Sequence, residues 1–393
     1  MSGFKAWMHP IQYAFEYYCK FPFINIPYHA PLFPLMLGVF FLLFNVSVLI
    51  AHIYIAMTLF VTICCMYYIN LKFKLSHFSS AIGAIWIGCI PMVAYWSNDV
   101  MSEIPVLMFS VLVLCIAAYW CEVHKPRYLW LLSLFVMLAF FTRYTAVVII
   151  PGVLLMLLRE SKKEEIINWR NILPIILMFP FIYIWVLFVE RYSIMTRGNN
   201  TFESLTIDTI RTILQMVTEN ISTSIGWPAL CVITVGILTL QYLRKLLNNT
   251  IFINWLIFTT VTFISIVCVH GAYESRLFIY LAPGVAGMIA VICDQTIRIK
   301  YLKLIWISIT IVTMGFTVSK NVERINNNIS AGYEQAAKTI TNQTRKGNLL
   351  SALRFNRFLS FGVLSIKPTS NRIWFRSDRM ISEQYNAYQE FTT

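Results

Sequence analysis

The chain has 393 residues, 58% hydrophobic and only 12% charged, with a mean hydropathy of +0.67. Soluble domains run about 45–50% apolar and about 25% charged, so a water-soluble fold is excluded and lipid must take up the excess apolar surface. The formal net charge of +13 does not point to nucleic acid, because the basic residues concentrate between apolar stretches, as the positive-inside rule expects.

Met1 to Ile24 has no basic region followed by an apolar run, so it does not read as a signal peptide. Pro27-Tyr28-His29-Ala30-Pro31-Leu32-Phe33-Pro34 follows; its prolines fix a rigid entry that sets His29 at the mouth of the next segment. The apolar stretch from Pro31 to Phe44 is shorter than the roughly 20 residues a spanning helix needs, and predicts a helix at or dipping into the interface. Spanning segments are predicted at 47–70, 77–96, 103–121, 128–142, 144–158, 171–190, 226–243, 250–269, 275–295 and 304–319. The two short ones at 128–158 are split at Arg143, because one over-long helix would hold that guanidinium in mid-membrane. Of nine cysteines, Cys64, Cys65, Cys89, Cys115, Cys231, Cys268 and Cys293 lie in apolar stretches without CxxC spacing and read as buried thiols rather than a metal set.

With this topology, Lys72, Lys74, Lys125, Arg127, Arg159, Lys162, Lys163, Arg170, Arg244, Lys245, Arg298, Lys300 and Lys303 fall in loops on one side, the predicted cytoplasmic side. The opposite side receives residues 1–46, the turn 97–102, Arg143, the loop 191–225, the turn 270–274 and everything after Val318. Three regions follow: an outer loop and interfacial helix over 1–46, a transmembrane helical domain over 47–319, and an extracytoplasmic segment over 320–393. That tail holds eleven of the 31 basic residues and no spanning stretch. It predicts a small α/β unit, with a helix near 330–343 and a strand-like run at 348–353. The fold class is therefore an all-α polytopic membrane protein of about ten transmembrane helices with a small C-terminal α/β segment.

Charged groups at the ends of apolar helices are costly, so each either snorkels or works. On the predicted outer face Ser97-Asn98-Asp99-Val100-Met101-Ser102-Glu103 puts two carboxylates at a helix start, where Asp99 serves equally as a cap. His270-Gly271-Ala272-Tyr273-Glu274-Ser275-Arg276 combines donors, a carboxylate and a guanidinium where the chain re-enters the bilayer, and suits an anionic headgroup such as a phosphate; a Glu274–Arg276 surface pair is the plainer alternative. Arg143, beside Tyr144, is placed to meet a lipid phosphate or a substrate phosphate. The six Asn-x-Ser/Thr sequons are what an asparagine-rich chain produces by chance.

In this order, Tyr28-His29-Ala30-Pro31-Leu32-Phe33, the Ser97–Glu103 turn, Phe141-Thr142-Arg143-Tyr144-Thr145 with Pro151, and Glu274-Ser275-Arg276-Leu277 resemble the polytopic glycosyltransferases with the C-type membrane fold, the superfamily of protein O-mannosyltransferases and lipid A aminoarabinose transferases. Ala30 stands where that signature has its first proline, and Leu277 where it has tyrosine. The resemblance implies an enzyme that moves a hexose or pentose from a polyprenyl-phosphate donor to a lipid, glycan or protein acceptor outside the membrane, with inversion at the anomeric carbon. It implies Asp99 and Glu103 as catalytic carboxylates and His29, Arg143, Glu274 and Arg276 as substrate-binding groups. Membrane lipids and the lipid-linked sugar are the implied partners, and nucleic acid is not. No metal ligands are assigned; a divalent cation is the one cofactor left open. The implied location is a bacterial inner (plasma) membrane with the site facing outward.

The family's first spanning helix and the acidic residue after it have no counterpart here, and Glu16 is the one carboxylate in Met1–Ile26. An upstream in-frame span ending in an Asp or Asp-Glu is the corresponding expectation. A transporter or flippase, a surface-polysaccharide polymerase, and an inactive truncated paralogue stay open as alternatives.

Overall fold

The computed structural model describes residues 30–161, 168–192, 215, 218–219, 221–242, 249–270, 275–297 and 300–327. Residues 30–185 and 202–327 form one compact unit, and the fold below is that of this unit. His29, Glu274, and the expected helix and strand at 330–353 lie outside the described residues. In chain order the elements are α1 (Leu32–Phe44), α2 (Val48–Lys72), α3 (His77–Cys89), α4 (Pro91–Trp96), α5 (Glu103–Val123), α6 (Pro126–Thr142), a 3-10 turn (Tyr144–Ile149), α7 (Ile150–Glu160), α8 (Trp169–Tyr192), α9 (Trp227–Tyr242), α10 (Thr250–His270), a second 3-10 turn (Ser275–Leu281), α11 (Ala282–Ile297) and α12 (Lys300–Asn327). The described residues are helical with no strand, and the chain is a polytopic membrane protein.

Every predicted spanning segment coincides with helix. Among the described residues five are long and apolar enough to cross a bilayer by themselves: Val48–Lys72, Glu103–Val123, Trp169–Leu187, Thr250–Cys268 and Arg276–Thr296. Leu32–Phe44, His77–Cys89, Pro126–Thr142 and Trp227–Ile237 are apolar but shorter. Helix α1, with 13 residues, rises only about 20 Å, short of the roughly 30 Å hydrocarbon core. None of its residues is buried. It rests on α2, with Phe33 and Phe40 set 6.2 and 5.1 Å from the Tyr54 ring.

The single span expected over 77–96 is instead two helices. Pro91 has no N–H to continue the ladder, so α3 ends at Cys89 and the proline opens α4. Asn321 of α12, itself buried, donates to the Cys89 carbonyl at this break (2.9 Å). The span expected over 144–158 likewise starts as a 3-10 turn and becomes α-helical at Ile150, with Pro151 in the first turn of α7. That expected over 275–295 starts as a 3-10 turn before Pro283.

The core is organised around α11, whose span is wholly buried. It packs on α3, α9, α10 and α12. Small residues make the approach possible: a Cβ at Gly83 of α3 would lie 2.6 Å from the Ala290 Cβ, and one at Gly287 would lie 2.3 Å from the Trp255 indole. Lipid offers no hydrophobic drive between helices, so close packing of small residues is what holds them. The outward faces of α2, α8 and α12 keep their apolar side chains exposed, among them Phe60, Ile184, Phe181 and Val312. Such surface belongs against acyl chains.

Side-chain contacts sort the helix termini into two ends. At one, Lys72 closing α2 pairs with Glu122 closing α5 (2.8 Å), and Asp294 near the end of α11 accepts from the Ser76 backbone N–H that opens α3 (2.9 Å). Arg159 at the end of α7 donates to Asn254 at the start of α10 (2.8 Å). Phe73, just past α2, sits edge-on to Trp255 (5.7 Å) and joins these groups to one end. The opposite end gathers the N-terminus of α5, the C-terminus of α6 and the two 3-10 turns.

Candidate functional site

Helix α5 begins with Glu103, whose side chain is 1% exposed. A carboxylate buried without partners would be prohibitively costly, and two guanidiniums arrive to meet it. Arg143 is the extended residue (φ −159°, ψ 124°) that ends α6. Its Nη1 donates to Glu103 Oε1 in a close ion pair and to Ser102 Oγ at 3.3 Å, and its Nε donates to Thr145 Oγ1 at 3.2 Å. Arg276, in the 3-10 turn before α11, brings its Nη1 to 4.0 Å from the same Glu103 oxygen. Thr145 in turn shares a 2.8 Å hydrogen bond with the hydroxyl of Tyr280, which is buried. Glu103 Oε2 is buried and has no hydrogen-bond partner among the described residues.

Exposure rises outward through this trio, from 1% at Glu103 to 16% at Arg143 and 35% at Arg276. The carboxylate lies beneath and the guanidiniums above it. Three formal charges leave a net of +1, so the assembly remains attractive to an anion. A guanidinium is always charged at physiological pH and matches phosphate geometry with paired N–H donors. Beside it, Phe140 packs against Phe141 and Tyr144, Phe141 meets Trp185 of α8 edge-on (5.4 Å), and the Trp185 indole N–H donates to the Tyr144 hydroxyl (3.1 Å).

Asp99 lies apart from the trio. It sits in the turn between α4 and α5, on the surface, and among the described residues no hydrogen bond or ion pair joins its carboxylate to either arginine. The protein around it pushes its carboxyl pKa up from the usual carboxylate value, and His52, near the start of α2, acts in the opposite sense. An exposed carboxylate with a raised pKa is suited to accept a proton from an incoming group.

Of the six residues expected from sequence, the structure thus brings Glu103, Arg143 and Arg276 together and puts Asp99 on a separate turn. His29 and Glu274 lie outside the described residues. Sequence reasoning missed Tyr280 and gave Ser102 and Thr145 no role. Tyr280 looks like one more apolar-run aromatic, and its spacing of four from Arg276 was the available signal. Among the described residues no three His, Cys, Asp or Glu side chains stand together as a metal set.

A family model described as dolichyl-phosphate-mannose-protein mannosyltransferase matches residues 28–193, less than half of the chain. The match runs from the Tyr28–Phe33 motif through Asp99, Glu103 and Arg143, and stops short of Arg276. It bears out the resemblance to the C-type glycosyltransferase superfamily. No curated protein and no solved structure matches the chain. With its apolar helices, the chain is a multi-pass integral membrane protein that over residues 28–193 is similar to membrane glycosyltransferases.

Proposed function

We propose that the protein transfers a sugar from a polyprenyl-phosphate donor to an acceptor on the non-cytoplasmic face of the membrane. The observation that carries this reading is the convergence of Arg143 and Arg276, from distant parts of the chain, on one membrane end. A departing lipid phosphate is the anion such a pair suits, and a site of this kind needs no nucleotide-sugar fold.

In the reaction, the acceptor oxygen attacks the anomeric carbon from the face opposite the phosphate, and the bond from that carbon to the phosphate oxygen breaks. Its electron pair leaves on the phosphate, where Arg143 and Arg276 stabilise the charge. The acceptor's proton passes to Asp99, the general base. His29 and Glu274 complete the substrate-binding set by their place in the motifs. The protein sits in a bacterial inner membrane with this site outward.

The test is transfer from a labelled polyprenyl-phosphate sugar by the protein in lipid nanodiscs, in a form carrying any segment that precedes Met1. Asp99→Asn and Arg276→Ala are each expected to lower the rate a hundredfold or more, about 2.7–4 kcal/mol for one lost transition-state contact, at unchanged protein level. Transfer that survives both substitutions would overturn the assignment of these residues.

A further inference from the structure

We propose that Glu103 is a positioning residue, an internal counter-anion that locks Arg143 and Arg276 together as one phosphate clamp and takes no proton from the acceptor. The inference rests on the donor reading above, and assigns Glu103 a role different from that of Asp99.

Three observations lead to it. First, Glu103 is the least accessible member of the trio, at 1% exposure, while the arginines above it are 16% and 35% exposed. A general base must come within hydrogen-bond reach of the proton it removes, and an incoming acceptor meets the arginines first. Second, Glu103 Oε1 is the atom both guanidiniums share. An oxygen already engaged by Arg143 and approached by Arg276 is turned to the guanidiniums rather than to an acceptor. Third, Arg143 and Arg276 belong to segments far apart in sequence, the end of α6 and the turn before α11, and two guanidiniums repel. The carboxylate at the head of α5 gives them a common anchor, while Ser102 and Thr145 fix the plane of Arg143.

The electrostatics give this role a signature of its own. Replacing Glu103 by the isosteric glutamine keeps the side-chain volume but changes the trio from a net +1 to +2. The ground-state attraction for a phosphate then holds or rises, while the alignment of the donors is lost. Misplacement by about 1 Å costs on the order of a hundredfold in rate. A positioning role therefore predicts that kcat and KM part company.

The experiment compares wild type, Glu103→Gln and Glu103→Asp in nanodiscs, by steady-state transfer across a pH series and by tryptophan-fluorescence titration with polyprenyl phosphate alone. Expected for Glu103→Gln are a kcat lower by about a hundredfold, a KM for the donor that does not rise, polyprenyl-phosphate binding at least as tight as wild type, and a retained acidic limb of the pH profile. Glu103→Asp, which restores the charge on a shorter arm, recovers part of kcat. Loss of the acidic limb in Glu103→Gln makes Glu103 the base and overturns the proposal. So does a kcat equal to wild type, and so does polyprenyl-phosphate binding lost together with kcat, which is what a merely structural role gives. A wild type that transfers sugar normally in any of these cases leaves the donor reading standing; a wild type that does not bind polyprenyl phosphate brings down both.

Discussion

Asp99 and His52 form an electrostatic pair at the membrane end that carries the arginines, and the pair sets a pH dependence. Partial desolvation raises the Asp99 pKa and the nearby His52 lowers it. A general base works deprotonated, so activity is expected to rise with pH through a midpoint above the ordinary aspartate value of about 3.9. His52→Ala removes the lowering influence and moves that acidic limb to higher pH, while Asp99→Asn abolishes it. A limb that stays in place, or moves to lower pH, in His52→Ala would show that Asp99 is not the titrating group. The sequence flagged Asp99, Glu103, Arg143 and Arg276 because charge at the end of an apolar run is costly. It did not separate the two carboxylates. Four positions apart at a helix start, they differ in the partners that reach them: among the described residues Arg143 and Arg276 meet Glu103 rather than Asp99. That information is tertiary, carried by the ends of α6 and of the turn before α11, and no local spacing encodes it.

At the scale of elements, apolar run length located the helices, since each needs a long lipid-compatible stretch and little else distinguishes them. The interruptions were less legible. Pro91, Pro151 and Pro283 were visible, but a hydropathy window averages over them, whereas a missing N–H acts at one residue and divides α3 from α4. Packing between helices was not legible at all, because a glycine in an apolar run does not say which neighbour fills its space. Helix α3 tests this with two of its own residues. A side chain at Gly83 would meet the Ala290 Cβ at 2.6 Å and the Ala286 carbonyl oxygen at 3.0 Å, both fixed to α11. At Gly88 the nearest atom is the Ile63 Cδ1, at 3.5 Å, the far end of a flexible side chain. Gly83→Leu is therefore expected to force α3 from α11, at about 1–3 kcal/mol or more for an overpacked interface, and to lower the melting temperature in detergent. Gly88→Leu should melt close to wild type. Equal melting temperatures for the two variants would contradict the α3–α11 contact.

For the whole molecule the decisive property is that charge divides between two ends. The Lys72–Glu122 pair, Asp294 with Ser76, and Arg159 with Asn254 mark one end, and they coincide with the loops whose lysines and arginines the positive-inside rule assigns to the cytoplasm. The Glu103–Arg143–Arg276 trio and Asp99 mark the other. The contacts fix which termini lie together but carry no information about which end is outside. That direction comes from the basic loops, because Lys and Arg in short loops resist translocation. Single cysteines at positions 74, 99 and 125, in a background without the nine native cysteines, separate the two ends by their reach to an impermeant maleimide. Position 99 is expected to react in intact cells, and positions 74 and 125 only after the membrane is opened. Labelling of 99 and 74 from the same side would break the helix arrangement itself. The reverse pattern, with 74 and 125 reactive in intact cells and 99 protected, would keep the arrangement and turn the arginine pair to the cytoplasm, where a lipid-phosphate sugar presented outside could not reach it.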